Sequence, residues 1–509
     1  MLRKVRVVAA AIFFIFITLL FLDFTGTLHG WFGWMAKIQF LPALLALNVS
    51  VLLFLVVMTL LFGRVYCSVI CPLGVMQDIF GWFGKRAKKN RYSFSKSKDI
   101  LRGVVLFLYG AATVAGIGSV TALLAPYSAY GRIASNMLAP LYKWGNNLLA
   151  YFAERAESYA FYGTEVFVKS IPVFVIAIVT FIVIGVLAWR GGRTYCNTIC
   201  PVGTVLGMLS RFSWFKPVID TTKCNGCTLC ERNCKASCIN SKEHKIDYSR
   251  CVACMDCIDK CNKGAISYTH VKGVKEGKKD NLSGSGSVVA DNGGRRNFLA
   301  ATAVLATSVV AKAQEDKVDG GLAVILDKKA PKRNTKIVPP GALGIANLEQ
   351  HCTGCQLCVS VCPNDVLRPS SDLMSLMQPY SSYERGYCRP ECTKCSDVCP
   401  AGAIRAISVE EKSSIQIGHA VWVKANCLPV VEGVSCGKCA NVCPVGAIQM
   451  VKISCKDCKD KCDGVNRKCE KIPVVDAERC IGCGACENLC PSRPFSAIYV
   501  EGHEEHKFV

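Results

Sequence analysis

The stretch CNGCTLCERNC at residues 224–234, followed by CVACMDCIDKC at 251–261, twice sets three cysteines at two-residue intervals and a fourth after three more residues. Three thiolates so spaced wrap a tight loop around one iron–sulfur cube, while the fourth reaches across to a neighbouring cube, so such runs work in pairs. The runs are Cys224, Cys227, Cys230, Cys234 and Cys251, Cys254, Cys257, Cys261. The pattern recurs at Cys352, Cys355, Cys358, Cys362 and at Cys480, Cys483, Cys486, Cys490, with a proline after each fourth cysteine. Two looser runs, Cys388, Cys392, Cys395, Cys399 and Cys427, Cys436, Cys439, Cys443, also end before a proline. Six runs predict at least six 4Fe-4S clusters on α+β ferredoxin-like modules, and hence an electron carrier.

Structural zinc also favours C-x2-C, but its sites rarely add a third cysteine at the same interval. With 33 cysteines in the chain, dense identical spacings suit soft-metal chemistry better than a disulfide framework.

At 509 residues, 51% hydrophobic and with a formal charge of +22, the chain is too apolar to be wholly soluble; its mean hydropathy is +0.30. Residues 7–22, 38–62, 103–125 and 171–189 meet or approach the length of apolar chain that spans a bilayer. A membrane all-α domain of four spans in two repeats is therefore expected over residues 1–216. Between the second and third stretches stand Arg64, Lys85, Arg86, Lys88, Lys89, Arg91, Lys96, Lys98 and Arg102 against Asp78 and Asp99, which assigns that loop to the cytoplasm. Arg3, Lys4 and Arg6 put the N-terminus on the same side. Residues 1–216 hold 21 basic and 6 acidic residues, so most of the net charge is a topology signal. Such a surface can attract anionic lipid or an acidic redox partner; no nucleic acid is called for.

The membrane part is internally duplicated. GRVYCSVICPLG at 63–74 and GRTYCNTICPVG at 192–203 share G-R-x-Y-C-x2-I-C-P-x-G, each directly after an apolar stretch. The two halves are expected to pack with rough two-fold symmetry. Cys67 and Cys71, like Cys196 and Cys200, face one way if the segment is helical, although proline after the second cysteine suits a turn or a first helical turn. Together the four thiols are a candidate metal site for a further cluster; a redox-active thiol pair and plain packing are the alternatives.

Histidines narrow the chemistry. No C-x-x-C-H is present, and His29 is the only histidine before His244, which leaves no histidine pair to hold a haem between the spans. A hydrocarbon core about 30 Å thick is a long gap without an intermediate centre, so a quinol or a partner subunit is expected to bridge it.

Residues 271–294 read as a flexible Gly/Ser-rich linker. Residues 295–313 follow with Arg295, Arg296, Phe298 and Leu299, a weakly apolar run, and Ala311-Lys312-Ala313, the pattern of a twin-arginine signal or anchor. That route carries folded, cofactor-loaded domains, so residues 314–509 are expected as a periplasmic four-cluster domain and 217–270 as a cytoplasmic two-cluster ferredoxin.

With these motifs, residues 1 to about 275 resemble the membrane quinol dehydrogenase component of periplasmic nitrate reductase systems (NapH-like). Residues 295–509 resemble its exported ferredoxin-type partner (NapG-like), the run from Cys427 to Cys443 most specifically. The resemblance implies a bacterial inner (cytoplasmic) membrane protein, multi-pass, with ferredoxin domains on both sides. It also implies four exported ligand sets: Cys352, Cys355, Cys358, Cys490; Cys480, Cys483, Cys486, Cys362; Cys388, Cys392, Cys395, Cys443; and Cys427, Cys436, Cys439, Cys399. In the cytoplasmic module it implies Cys224, Cys227, Cys230, Cys261 and Cys251, Cys254, Cys257, Cys234. Lys235 and Asn262 depart from it, standing where proline usually follows the fourth cysteine.

Cys455, Cys458, Cys462 and Cys469 form an insertion outside that pattern. A fifth exported cluster, a zinc knuckle and two disulfides are all open for it, which brings the cluster total to between six and eight. Cys238 is left over as a buried free thiol.

Quinol oxidation needs proton acceptors near lipid. Asp23 and His29 are the candidates, with Trp31, Trp34, Tyr127, Tyr130, Tyr142 and Trp144 reading more plainly as an interface belt. The expected function is electron transfer from (mena)quinol through the clusters to a periplasmic terminal reductase or cytochrome partner, as the quinol dehydrogenase component of a respiratory chain. The alternative is a maturation or maintenance factor that reduces a metal centre of a partner oxidoreductase.

Overall fold

The computed structural model describes residues 2–88, 92–158, 160–270, 327–452 and 471–508. The expected linker, the twin-arginine segment and Cys455, Cys458, Cys462 and Cys469 lie outside the described residues.

Two helices, Leu2–Leu22 and Ile171–Gly191, are long and apolar enough to cross a membrane. Each has 21 residues and is therefore about 30 Å long, and each acts as a ruler between two cysteine-rich units. At the start of the first helix Arg3 pairs with Asp256 and Asp259 of the 215–270 unit (2.9 and 3.2 Å). Just past its other end the backbone carbonyl of Thr25 accepts from Lys394 Nζ of the C-terminal unit (2.7 Å). The second helix runs the opposite way: Lys169 before it pairs with Asp365 (3.2 Å), and beyond its far end Arg193 N donates to Lys235 O (2.8 Å). The two units therefore sit at opposite ends of the helical domain.

The other two expected spans are each interrupted. Residues 38–62 divide into helices Phe40–Leu45 and Val49–Phe62, because Leu47 takes a positive φ of 51° and the Asn48 side chain caps the second helix. Residues 103–125 divide at Gly116, φ 73°, into Asp99–Val114 and Gly118–Leu124. The short segments beyond these breaks turn back towards the duplicated motifs: Tyr66 Oη donates to the buried Gln39 (3.0 Å), and Tyr195 Oη donates to Leu124 O (2.8 Å). Tyr127 and Tyr130 lie on helix Pro126–Ile133 and are buried, so they do not belong to an interface belt. Trp31, Trp34, Tyr142 and Trp144 are exposed.

The described sheets are all two-stranded and antiparallel. Phe215–Ile219 pairs with Ile266–His270 to close the smaller unit. In the larger unit Ile415–Trp422 pairs with Ile498–Phe508, with an irregularity between Gly502 and Lys507, and Ile448–Lys452 pairs with Lys471–Val475. Isolated two-stranded ribbons are marginal in water.

Candidate iron–sulfur and thiol centres

Each of the four strict runs has left-handed backbone at the same two places. The residues are Gly226 and Thr228, Ala253 and Met255, Gly354 and Gln356, and Gly482 and Gly484, with φ from 48° to 80°. They flank the second cysteine of each run, and the alternation of left- and right-handed residues turns successive N–H groups inward to make a concave anion cradle. Gly354 N, for example, donates to Cys352 Sγ (3.4 Å). The non-glycine members carry a conformational cost of roughly 1–2 kcal/mol each, which a bound anionic cluster offsets. The looser runs have no positive φ between Cys388 and Cys399 or between Cys436 and Cys443, consistent with their altered spacing. No three Cys, His, Asp or Glu side chains among the described residues could hold one metal ion. A cube differs from a lone ion in taking one thiolate on each of four irons, so the cradles fit it better than they fit zinc.

In the smaller unit Cys234, Cys251, Cys254 and Cys257 line one cavity. Cys238 lines it too, its Sγ 3.5 Å from that of Cys234. Cys230 lies beside Cys224 and Cys227.

In the C-terminal unit the cysteines are grouped differently from the sets the resemblance implied. Cys399 bears electrostatically on Cys352, Cys355 and Cys358, so it takes the place expected for Cys490. Cys362 stands by Cys388 and Cys395, where Cys443 was expected. Cys443 stands by Cys480 and Cys483, where Cys362 was expected. Cys490 lines a cavity with Cys427, Cys436 and Cys439, where Cys399 was expected. The cause is helix packing. Leu357–Val361 packs on Lys394–Asp397, and Lys438–Asn441 on Ala485–Leu489, so each fourth cysteine crosses to its neighbour in sequence. Cys388 N donates to Cys483 O (2.9 Å), which joins the two pairs of sets into a single row.

The duplicated motifs meet face to face. Cys67, Cys71, Cys196 and Cys200 are buried in one cluster. Cys67 lies on helix Val65–Val69 and Cys196 on Thr194–Thr198. Pro72 and Pro201 open the next helices, where a missing N–H costs nothing, and Cys200 Sγ accepts from Gly203 N (3.3 Å) as a cap. Two arginines, both fully buried, exchange between the halves. Arg64 donates to Cys196 O (3.2 Å), Asn197 Oδ1 (2.9 Å) and Ser249 O (3.1 Å). Arg193 donates to Cys67 O and to Asp78 Oδ1 (2.7 Å). The last glycine of each motif leaves room for the other half's arginine: a Cβ on Gly74 would lie 2.6 Å from Arg193 Nη1, and one on Gly203 2.9 Å from Arg64 Nη2. Asp78 also pairs with Arg6 (3.1 Å) and Lys235 (2.9 Å). Burial alone would raise its carboxyl pKa, but Arg193 and Lys235 outweigh that and hold it far below the carboxylate range.

Arg64 forms no ion pair with a carboxylate among the described residues, and its Nη2 lies 3.8 Å from Cys67 Sγ. A buried guanidinium of this kind calls for negative charge nearby, which four thiolates around a cluster would supply.

At the opposite end, Asp23 Oδ1 accepts from Thr25 N (3.0 Å), Thr25 Oγ1 (2.6 Å) and Gly26 N (2.9 Å), while Oδ2 accepts from Leu28 N (2.8 Å). His29 Nδ1 lies 3.4 Å from Asp23 Oδ2. Burial opposes ionisation of Asp23, but the bonds from His29, Thr25, Leu28 and Gly26 prevail and keep its pKa low. His29 Nε2 is buried and has no partner among the described residues. A Cβ on Gly26 would meet Val361 (3.4 Å) and Lys394 (3.5 Å), so this loop abuts the set containing Cys362, Cys392 and Cys395.

A family model described as a 4Fe-4S binding domain matches residues 44–91, 171–220 and 439–451, and a second so described matches 349–368 and 473–496. The first two stretches contain the duplicated motifs. An uncharacterised protein of Methanocaldococcus jannaschii is 45% identical over 75 residues, 15% of this chain and 30% of its own. The methylamine utilization ferredoxin-type protein MauM of Methylophilus methylotrophus is 32% identical over 170 residues, 33% of this chain and 71% of its own. The ferredoxin-type protein NapG of Escherichia coli is 27% identical over 39% of this chain and 81% of its own. The chain thus spans less than a third of the first of these relatives and most of the other two. No solved structure matches. With its cysteine runs cradled as described, the chain belongs to the MauM and NapG family of ferredoxin-type 4Fe-4S electron-transfer proteins.

Proposed function

We propose that the chain is a membrane protein that oxidises quinol beside Asp23 and His29 and passes the electrons along the C-terminal row of clusters to a soluble terminal reductase. Membrane placement is supported by the two rulers of about 30 Å, the thickness of a hydrocarbon core. Exposed Val8, Ile15, Phe107, Val175 and Val179 on the helical domain support it further. The 215–270 unit, whose Asp256 and Asp259 pair with Arg3 near the N-terminus, then lies on the cytoplasmic side and the C-terminal unit on the outer side.

The observation that carries the reading is the contact of the Asp23–His29 loop with Val361 and Lys394. Quinol oxidation needs a proton acceptor and an electron acceptor side by side. His29 Nε2 accepts a proton from a quinol hydroxyl and Asp23 stabilises the imidazolium, while a 4Fe-4S cluster held by Cys362, Cys388, Cys392 and Cys395 would supply the one-electron acceptor. Both quinol O–H bonds are broken by two such rounds, with His29 releasing its proton to solvent between them.

The test follows the electron paramagnetic resonance signals of the C-terminal clusters after addition of a reduced menaquinone analogue to the purified protein. His29→Leu should abolish their reduction by quinol and leave their reduction by dithionite unchanged. Quinol reduction at the normal rate in that variant would overturn the site.

A further inference from the structure

The four buried thiols at Cys67, Cys71, Cys196 and Cys200 lie between the two ferredoxin-like units and are bonded towards both. On one side, three hydrogen bonds tie the duplicated motifs to residues beside the Cys234 and Cys251 ligands. Arg64 Nη1 donates to Ser249 O (3.1 Å), Asn197 Nδ2 to Ala236 O (3.2 Å) and Arg193 N to Lys235 O (2.8 Å). On the other side, Tyr195, next in sequence to Cys196, donates to Leu124 O (2.8 Å). Two residues earlier, Ala122 is the close neighbour of the Cys352–Cys355 loop, its Cβ 2.8 Å from where a Cβ on Gly354 would stand. Gly131 lies against Cys355 O, and Tyr127 is buried beside Cys355 and Cys399.

We propose that the thiol set at Cys67, Cys71, Cys196 and Cys200 holds a 4Fe-4S cluster, which would take and give one electron at a time across the membrane domain, coupled through Arg64 to the Cys251 set and through Tyr195 to the Cys352 set. The chain thereby connects a low-potential one-electron carrier on the side of the 215–270 unit with the outer row, without a mobile quinone. Each step moves one electron; no bond is made or broken and no proton moves. The proposal rests on the reading that the outer row is an electron acceptor, but it does not rest on the Asp23–His29 site.

The path is covalent and hydrogen-bonded as far as Leu124 and closes by packing of Ala122 on the Gly354 loop, and the buried arginine supplies the charge that an anionic centre requires. Arg64 and Tyr195 are positioning residues in this scheme.

The test uses sealed, quinone-extracted membrane vesicles in which the 215–270 unit faces outward, with dithionite, a charged reductant, added outside. The resonance signals of the C-terminal clusters should appear. In Tyr195→Leu they should appear several-fold more slowly at unchanged iron content. Arg64→Gln should lower the midpoint potential of the thiol centre in a redox titration without altering the ligand count. Should Tyr195→Leu fail to assemble, Tyr195→Phe removes only the bond to Leu124 and should still slow the transfer. Reduction that requires added quinone, or that proceeds at the wild-type rate in both Tyr195 variants, would overturn the relay. His29→Leu separates the two readings: it should leave this dithionite-driven transfer intact while losing quinol-driven reduction.

Discussion

Arg64 and Arg193 hold equivalent positions in the two halves of the duplication, and each reaches into the other half, Arg64 to the carbonyl of Cys196 and Arg193 to that of Cys67. The exchange explains the shared sequence G-R-x-Y-C-x2-I-C-P-x-G. Arginine crosses, the last glycine leaves it space, tyrosine ties down a returning segment and proline starts the next helix. It also makes the pairing of the halves depend on charge that is wholly buried.

Removing one of those charges should therefore be costly. Arg193→Met leaves the half-buried Asp78 with two cations in place of three and Cys67 O without its donor. Breaking a buried pair of this kind costs about 3–5 kcal/mol, and the remaining Arg6 and Lys235 place this variant near the lower end. Asp78→Asn, which strips the partner from three cations at once, should be the worse of the two. Thermal unfolding in detergent measures both; a melting temperature at the wild-type value for Arg193→Met would contradict the arrangement.

The ligand sets predict which signals fall together. Cys399→Ser should disturb the cluster held by Cys352, Cys355 and Cys358, and Cys490→Ser the one held by Cys427, Cys436 and Cys439. Each lone variant among Cys67, Cys71, Cys196 and Cys200 should remove the same single signal and about four iron per chain, one cube's worth. Should Cys490→Ser disturb the Cys352 set, the cysteines would be paired outer run with outer run, against the helix packing seen here.

Much of this was legible in the sequence, and the exceptions share a cause. The strict runs announce their loops because the spacing itself demands left-handed residues at Gly226 and Thr228 and at their counterparts. Spacing also says that each fourth cysteine leaves its own loop, but its destination depends on which short helices pack, and that is not local information. Hydropathy reads 38–62 and 103–125 as continuous because one positive φ at Leu47 or Gly116 leaves the apolar average intact. Lys235 stood out as a lysine in a proline position. Its reason is Asp78, 157 residues away, together with Asp256 at 3.0 Å: the amine docks the 215–270 unit onto the helical domain.

Sidedness gives a further expectation. Reporter fusions at residues 90 and 270 should read cytoplasmic and one at residue 505 external, because the two units sit at opposite ends of helices about 30 Å long. Replacing Arg295 and Arg296 by lysine should hold the C-terminal reporter inside. A cytoplasmic reading at 505 in the wild-type chain would place both units on one side, which the two rulers do not permit in a bilayer.

Acid should loosen the C-terminal unit through His506. The side chain lies on strand Ile498–Phe508 and is 9% exposed, and neither ring nitrogen finds a partner among the described residues. Burial first, and the neighbouring His503 second, push its pKa down from 6.5 to about 4. The unfolded chain therefore binds a proton there at a pH where the folded chain does not. The stability associated with keeping the ring neutral is complete above about pH 6.5 and is lost as the pH falls towards 4, at most about 3 kcal/mol by linkage. His506→Leu removes the titrating group while keeping an apolar side chain in place, so between pH 7 and 4 its melting temperature should fall less steeply than that of the wild type. Carboxylates that titrate in the same range are common to both proteins and cancel in the difference. Parallel curves for the two proteins would show that His506 takes up its proton without opening the strand.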